Sequence, residues 1–292
     1  MIKILTKEQC TGCTACAAAC PKSCIVMRRD DEGFLYPYVD ETQCIQCNVC
    51  EEICPVSSSA PVAKATAVTA YAAVNKNETV RMNSSSGGVF TLIAEYVLDK
   101  GGIVFGAALD DELQIEHIGV ENKTELQRLQ GSKYVQSRIG NTYRRAKEQL
   151  KAGRLVLYTG TPCQISGLQA YLRKDYDNLI CQDMICHGVP SPAVWERYVA
   201  YRQEAASSKA EKVLFRQKRS GWKTYSVQFD FADNVKYAQP FIKDPYMQCF
   251  LADLCLRPSC YMCHFKGKHR PSDFTLADFW GIENVLPVLD DD

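Results

Sequence analysis

Cysteines in two matched runs are the residues of this sequence best suited to chemistry. Residues 10–21 read CTGCTACAAACP and residues 44–55 read CIQCNVCEEICP. Each run has the C-x₂-C-x₂-C-x₃-C-P spacing that bacterial-type ferredoxins use to bind [4Fe–4S] clusters. The second run repeats the first at a constant offset of 34 residues, so four cysteines and a proline match in register. This spacing predicts two [4Fe–4S] clusters near the N-terminus.

The ligands of the two clusters follow from the crossed pattern of such runs, in which the fourth cysteine binds the other cluster. The expected ligands are Cys10, Cys13, Cys16 and Cys54 for the first cluster, and Cys44, Cys47, Cys50 and Cys20 for the second cluster. Cys24 has no counterpart, because Ser58 stands at the matching position, and it is interpreted as a packing residue. Structural zinc is the alternative metal, but the doubled register with proline after each fourth cysteine disfavours it.

Composition and charge indicate an ordinary globular chain. Of its 292 residues 46% are hydrophobic and 23% are charged, and 34 basic side chains balance 34 acidic ones. The balanced charge gives no reason to expect nucleic acid as a partner. No apolar run approaches the roughly 18 residues of a transmembrane helix, and the N-terminus MIKILTKEQC lacks the apolar core of a secretion signal. Sixteen cysteines could suggest a secreted disulfide scaffold, but the chain is large and eight of them stand at cluster spacing, which favours the reducing cytoplasm.

The sequence predicts an α+β ferredoxin-like dicluster domain followed by an α/β domain with a mixed sheet. We expect the dicluster [4Fe–4S] ferredoxin domain at 1–57, a linker rich in small residues and proline at 58–66, and a second domain at 67–292. The apolar stretch 67–74 predicts the first strand of the second domain. Strands then alternate with helices, which favours a mostly parallel sheet, and strand-like stretches after residue 212 suggest an antiparallel addition.

A second set of cysteines falls in the α/β domain. Two of them follow predicted strands, at the carboxyl ends where open α/β sheets bind ligands, and two more form a C-x₂-C pair. The four are Cys163, Cys186, Cys260 and Cys263. They could hold a third [4Fe–4S] cluster, a zinc ion with His187 or His264 as a further ligand, or nothing, as scattered buried thiols. The remaining cysteines, Cys181, Cys249 and Cys255, lie in apolar runs and are expected in the core.

A glycine turn and several basic residues are candidates for binding an anionic cofactor. Ser85-Ser86-Gly87-Gly88 precedes a predicted helix and offers backbone N–H groups to an anion or a flavin edge, although an ordinary serine cap would look the same. Lys133 could neutralise an anionic flavin or lie in solvent. A basic cluster formed by Arg216, Lys218 and Arg219 could be a solvated edge or a site for the acidic tail of a cofactor.

Together these motifs resemble the beta subunit of coenzyme F420 hydrogenase/dehydrogenase, in its form with an N-terminal ferredoxin. The resembling stretches run in family order and are 85–90, 131–137, 159–164, 186–191, 257–263 and 272–281. Members of that family usually continue past the Asp-Phe-Trp-Gly sequence at 278–281, so we expect this chain, which stops at Asp292, to lack part of the C-terminal region.

The resemblance implies an iron–sulfur flavoprotein oxidoreductase, in which 67–292 is the flavin and iron–sulfur oxidoreductase domain. Electrons would pass between [4Fe–4S] clusters and FAD, with hydride exchange with a deazaflavin-like or other two-electron partner. It implies a third [4Fe–4S] cluster on Cys163, Cys186, Cys260 and Cys263, and a flavin site on Ser85, Ser86, Gly87, Gly88, Ser132, Lys133 and Tyr134. No catalytic residue is assigned. A redox partner protein or subunit is expected, and the alternative function is a non-catalytic ferredoxin-type electron-transfer subunit that docks a partner enzyme.

Overall fold

The computed structural model describes residues 1–57, 68–268 and 270–289, and within them three sheets are flanked by short and medium helices. The helices are α1 (Ala15–Ala19), α2 (Val49–Glu52), α3 (Glu78–Asn83), α4 (Val89–Asp99), α5 (Lys123–Leu126), α6 (Thr142–Lys151), α7 (Pro162–Leu172), α8 (Pro192–Ala206), α9 (Pro245–Leu251), α10 (Pro258–Tyr261) and α11 (Ile282–Val285). The strands are β1 (Ile25–Arg29), β2 (Leu35–Val39), β3 (Ile103–Leu109), β4 (Ile115–Val120), β5 (Val156–Thr159), β6 (Leu179–Met184), β7 (Ala210–Gln217), β8 (Ser226–Phe231), β9 (Lys236–Pro240) and β10 (Phe274–Leu276). Three-residue 3₁₀ turns cover Lys7–Gln9, Gln127–Leu129 and Pro287–Leu289. Within these ranges no helix has the length and apolar character needed to span a bilayer.

The N-terminal unit combines one hairpin with two short helices. Strands β1 and β2 pair antiparallel, from Ile25 opposite Val39 to Arg29 opposite Leu35. The buried core beneath them is small and consists mainly of cysteine and isoleucine side chains. This is the expected ferredoxin-like arrangement, in which cysteine side chains supply much of the interior. The predicted linker at 58–66 lies outside the described residues.

The second unit is built on a five-stranded mixed sheet in the order β10-β6-β5-β3-β4. Strands β3, β5, β6 and β10 run parallel, and β4 pairs antiparallel with β3. The central strand β5 is buried along its whole length, because helices cover both faces of the sheet. The predicted α/β fold with a mixed sheet is confirmed.

The antiparallel addition forms a separate three-stranded sheet, β7-β8-β9. Its inner face packs on α8 and α9 around Trp195, which is fully buried among Phe215, Phe229 and Tyr246. The Trp195 indole N–H donates to the Leu113 carbonyl at 2.7 Å, so the large aromatic side chain is buried without an unsatisfied donor.

The strand predicted at 67–74 is wrong for the part that is described. Residues 68–74 form no strand, and Val68 and Tyr71 are 77% and 83% exposed. An apolar run becomes a strand only where a sheet edge is free to pair with it. The edge beside β3 is taken by β4, which the sequence did not predict.

The two units share one core. Cys13, Ala15 and Ile53 of the N-terminal unit belong to the same buried cluster as Ile165 and Leu168 of α7. Gly167 lies at the closest point, where an added Cβ would be 2.8 Å from the Cys13 Cβ, 3.0 Å from its Sγ and 2.9 Å from the Tyr143 hydroxyl. The absence of a side chain at 167 therefore allows α7 to press against the first cysteine run.

We expect Gly167→Ala to destabilise the protein. Alanine favours a helix over glycine by about 1 kcal/mol, but overpacking a tight core costs about 1–3 kcal/mol. The steric cost wins here, because the added methyl would contact a packed cysteine and a buried tyrosine. Thermal unfolding followed under anaerobic conditions should show a midpoint lowered by about 2–8 °C.

Ser166→Ala on the same helix is the matched control, since Ser166 is only partly buried, and its midpoint should stay within about 2 °C of the wild type. A midpoint for Gly167→Ala at or above the wild-type value would contradict the close packing between the two units.

Candidate metal centres and cofactor site

The first cysteine set gathers Cys10, Cys13 and Cys16 with the distant Cys54. Burial raises the pKa of the Cys13 thiol to about 12, and its neighbours Cys10 and Cys54 add to the rise. Burial also raises the pKa of Cys16, with further contributions from the other three thiols. Such mutual effects require the four sulfurs to lie near one another. Thiols that resist ionisation in a buried group become ligands when a bound metal supplies the compensating positive charge.

The second set lines a hollow at the other end of the N-terminal unit. Its cysteines are Cys20, Cys44, Cys47 and Cys50. The hollow contains about 350 Å³ of empty space, including its opening to solvent. Cys24 lines it as well, with its Sγ 3.3 Å from the Cys20 Sγ, so a buried fifth thiol stands beside an expected ligand. Cys47 is exposed, which places this set at the surface.

Backbone N–H groups point at sulfur in both sets. Gly12 donates to the Cys10 Sγ at 3.4 Å, and Ile2 donates to the Cys50 Sγ at 3.2 Å. Hydrogen bonds to cysteine sulfur stabilise the negative charge of a cluster and help to set its potential. The donors and the soft sulfur ligands fit [4Fe–4S] clusters at both positions.

The third set lines a hollow between the two units. Cys163, Cys186, Cys260 and Cys263 all lie on its wall. The hollow contains about 440 Å³ of empty space including its opening, and Thr11, Lys266 and Arg270 complete much of the wall. Burial raises the pKa of Cys163 to about 11 and that of Cys186 to about 12, and Cys260 and Cys263 contribute to both. Four partly buried cysteines around one hollow of this kind fit a third cluster.

Histidine does not line this hollow, although the sequence left His187 and His264 open as zinc ligands. The His187 Nε2 instead lies 2.6 Å from the Asp253 Oδ1. Within the described ranges, the cysteine sets included, no group of three or more Cys, His, Asp or Glu side chains is arranged around a single metal ion.

The sheet topology brings two expected ligands of the third set to the same edge of the sheet. Strands β5 and β6 are parallel neighbours, so the loops after them open at the same edge of the sheet, and Cys163 and Cys186 lie in or just beyond those loops. Thr161 caps α7 and forms a capping box with Gln164, and Pro162 takes the first helical position. The Thr161 hydroxyl lies 3.2 Å from the Cys163 Sγ. The helix start therefore fixes this sulfur.

A buried histidine that sequence reasoning missed supports the loop before Cys163. The His117 Nε2 lies 2.9 Å from the Thr159 carbonyl, and the Ser137 hydroxyl lies 2.9 Å from its Nδ1. A carbonyl only accepts, so Nε2 carries the proton and Nδ1 accepts from the serine. Burial lowers the pKa of His117 to about 4, so the ring is neutral at pH 7. His117 lies on the unpredicted strand β4, so its position could not be anticipated.

The two segments expected to bind flavin are in contact. The Ser132 N–H donates to the Ser85 Oγ at 2.6 Å. Gly88 is the N-cap of α4. It has no side chain that could accept a hydrogen bond from the first backbone N–H groups of that helix. Asn75 fixes the turn by donating its backbone N–H to the Gly87 carbonyl at 2.7 Å.

Basic groups surround this turn. Lys133 donates to the Arg128 and Gln130 carbonyls, both at 2.9 Å, and burial lowers its pKa to about 7. Lys218 is buried and donates to the Ser86 carbonyl at 3.1 Å. An anion bound here would stabilise both ammonium groups, which fits the phosphates or the reduced ring of a flavin.

The solvated-edge interpretation of the basic cluster is wrong for two of its three residues. Lys218 is buried, and Arg216 pairs with Asp278 at 2.6 Å with only 4% of its side chain exposed. Arg219 is exposed as expected. The structure also separates the Tyr134 ring from the other flavin candidates. The centre of this ring lies 5.1 Å from the centre of the Phe250 ring, in the core under the three-stranded sheet.

Comparison with known proteins places the chain in a family. The family model for the C terminus of the coenzyme F420 hydrogenase/dehydrogenase beta subunit matches residues 153–288, and the model for the N terminus of the same subunit matches residues 70–142. The chain belongs to the coenzyme F420 hydrogenase/dehydrogenase beta subunit family. A 4Fe-4S dicluster domain matches residues 9–58, so this family member carries an iron–sulfur domain at its N-terminus. The family and this domain indicate an iron–sulfur oxidoreductase-related role in electron transfer.

Among solved structures, a chain of the F420-reducing [NiFe] hydrogenase complex from Methanosarcina barkeri is similar at 16% identity and a TM-score of 0.45. The similarity covers 65% of this chain and 63% of that one, so this family member spans less than two thirds of that relative's length. A search of curated proteins returned no match.

We expect Cys260→Ala to remove about four iron atoms per chain, because a [4Fe–4S] cluster depends on four cysteine ligands. Iron and acid-labile sulfide should be measured on protein purified without oxygen. The matched control is Cys249→Ala, which removes a partly buried thiol that does not line the third hollow. Unchanged iron in Cys260→Ala, or an equal loss in Cys249→Ala, would refute the third ligand set.

Proposed function

We propose that this family member is an iron–sulfur flavoprotein oxidoreductase. In this proposal electrons pass between [4Fe–4S] clusters and FAD, and the flavin exchanges hydride with a deazaflavin-like or other two-electron partner. The cofactors supply the chemistry: clusters carry single electrons, and a flavin couples single-electron steps to hydride transfer. The protein binds, orients and insulates them.

The observation that carries the proposal is the continuity of the cysteine sets. Thr11, which lies between two expected ligands of the first set, also lines the hollow of the third set. Cys13 and Cys163 are near enough for the Cys163 charge to raise the pKa of Cys13, after burial, which is the larger cause. The first and third sets are therefore neighbours, as a chain of electron carriers requires.

The second set supports an entry or exit point for electrons. Cys47 is exposed, whereas the third set lies between the two units. A redox partner protein or subunit is proposed to dock beside Cys47, so that single electrons reach the interior through the first set.

The loop 131–137 supports a flavin close to the third set. Its Ser132 N–H donates to Ser85 of the glycine turn, with Lys133 next in the chain, and its Gln136 donates to the Thr11 carbonyl at 2.9 Å. One loop of seven residues thus reaches from the candidate flavin turn to the wall of the third hollow. The flavin is proposed to bind to Ser85, Ser86, Gly87, Gly88 and Lys133. Burial lowers the pKa of Lys133 to about 7, and a bound anion would favour the protonated form of this lysine.

The alternative is a non-catalytic electron-transfer subunit that binds clusters, docks a partner enzyme and carries no flavin. The dicluster domain and its exposed Cys47 suit that role equally well. A cytoplasmic location belongs to both proposals, since the thiols of all three sets need a reducing environment.

Cofactor analysis after anaerobic purification decides between them. We expect about twelve iron atoms, a matching amount of sulfide and about one FAD per chain, given four iron atoms in each of three clusters. About eight iron atoms without flavin would favour the carrier and overturn the main proposal. Zinc in a colourless protein would contradict both.

A lysine variant tests the flavin site separately. We expect Lys133→Met to weaken flavin retention about tenfold or more, because it removes a desolvated cation beside the turn, while leaving iron content unchanged. Lys151→Met is the control, since that lysine is exposed at the end of α6. Equal flavin content in wild type and Lys133→Met would place the flavin elsewhere or exclude it.

A further inference from the structure

Arg257 is an arginine whose charge is buried without an acidic partner. Its relative exposure is 0%, and it is one of the largest fully buried side chains among the described residues. Within the described ranges, no Asp or Glu oxygen forms an ion pair with it, and its three hydrogen bonds go to other groups. A buried charge is costly unless an opposite charge compensates it, so this position demands an explanation.

The acceptors around the guanidinium are all neutral. Its Nε donates to the Cys10 carbonyl at 2.7 Å, and its two terminal nitrogens donate to the Leu35 carbonyl at 2.9 Å and to the Gln136 Oε1 at 2.8 Å. Its carbon lies 4.3 Å from the centre of the Tyr36 ring. These dipoles and the ring satisfy donors and spread the charge, but they do not cancel it.

The location of Arg257 shows where negative charge could come from. It holds the backbone of Cys10, in the first cysteine set, and it stands three residues before Cys260, in the third. The Cys260 N–H donates to the Arg257 carbonyl at 2.8 Å, and Gln136, which accepts from the guanidinium, donates to the carbonyl of Thr11 on the wall of the third hollow. The guanidinium is therefore close enough to stabilise thiolates of both sets.

A glycine on the first run allows this approach. Gly12 has a φ of +70°, and a Cβ added there would lie 2.7 Å from a terminal nitrogen of Arg257. A larger residue would push the guanidinium away from the run. The absence of a side chain at residue 12 therefore allows the guanidinium to pack against the first cysteine run.

We infer that Arg257 is the shared counter-charge of the first and third clusters, raising the reduction potential of both. The inference rests on the three-cluster arrangement proposed above. A cluster bound by four thiolates gains negative charge when it accepts an electron, and a nearby buried cation stabilises that reduced form. The planar fork of arginine also fixes the two ligand loops relative to each other, which makes it a positioning residue as well as a charge.

A purely structural clamp is the competing explanation, and a redox titration separates the two. We propose an EPR-monitored titration of the full chain for wild type, Arg257→Lys and Arg257→Met. Arg257→Met should lower the midpoint potentials of the first and third clusters by about 59 mV or more, which is a tenfold change in a one-electron equilibrium. Arg257→Lys retains the charge and should recover most of that shift. The potential of the second cluster should be unchanged in each variant, because the hydrogen bonds of Arg257 go to Cys10, Gln136 and Leu35 and to no residue of the second set.

Two further variants keep the test decisive. Arg144→Met is the matched control, because Arg144 also donates to carbonyls of the first unit, those of Ala17 and Ala18, but from an exposed position. Removal of the Arg144 charge should change the midpoint potential of each cluster by only a small fraction of the change expected for Arg257→Met, since solvent screens the charge of Arg144.

Gln136→Glu places a carboxylate against the guanidinium in nearly the same shape. It should lower the same two potentials, and it decides the matter if Arg257→Met loses its clusters.

The inference is overturned if Arg257→Met, or Gln136→Glu where the former does not assemble, holds full iron with unshifted potentials. An equal shift in the midpoint potentials of all three clusters would also overturn the inference, because the effect would not be local to Arg257. Failure of the proposed function gives a different result. A wild type with about eight iron atoms would remove the third cluster, while the shift of the first would still test the charge of Arg257.

Discussion

A buried guanidinium in contact with both units constrains the rest of this structure. Arg257 reaches the first cysteine run through Cys10, the hairpin through Leu35 and the 131–137 loop through Gln136. Since burial of this charge with neutral acceptors alone is unfavourable, the compensating negative charge is proposed to come from the cysteines of the first and third sets. The same residue begins the segment that carries Cys260, so the charge and a third-set cysteine are positioned together.

Around this contact, ordinary packing brings the first and third cysteine sets together. Parallel pairing of β5 and β6 places the loops bearing Cys163 and Cys186 at one edge of the sheet. Helix α7, which begins beside Cys163, presses Gly167 against Cys13. The distance between the first and third sets is thereby set by a helix packed without a gap. The second set, with its exposed Cys47, is the proposed docking point for a partner.

Features encoded by short-range spacing could be predicted from the sequence. The doubled run fixed the expected ligands of the dicluster domain, and the strand-then-loop pattern singled out Cys163 and Cys186. Features that depend on what packs nearby could not. The stretch 67–74 was expected as a strand, but β4 occupies the available edge, and no local signal distinguishes the two. Lys218 was left open between solvent and a cofactor site, whereas its burial depends on a turn more than a hundred residues away. Burial of Arg257 likewise results from long-range contacts.

The central claim is that the three cysteine sets form one connected electron path. Pulsed and continuous-wave EPR of the fully reduced protein measures it most directly, because reduced clusters carry unpaired spins that broaden one another's signals when they are neighbours. The account predicts about three reduced clusters per chain, with magnetic interaction between the first and third that disappears in Cys163→Ala. Two cluster signals per chain, or three without mutual broadening, would contradict it.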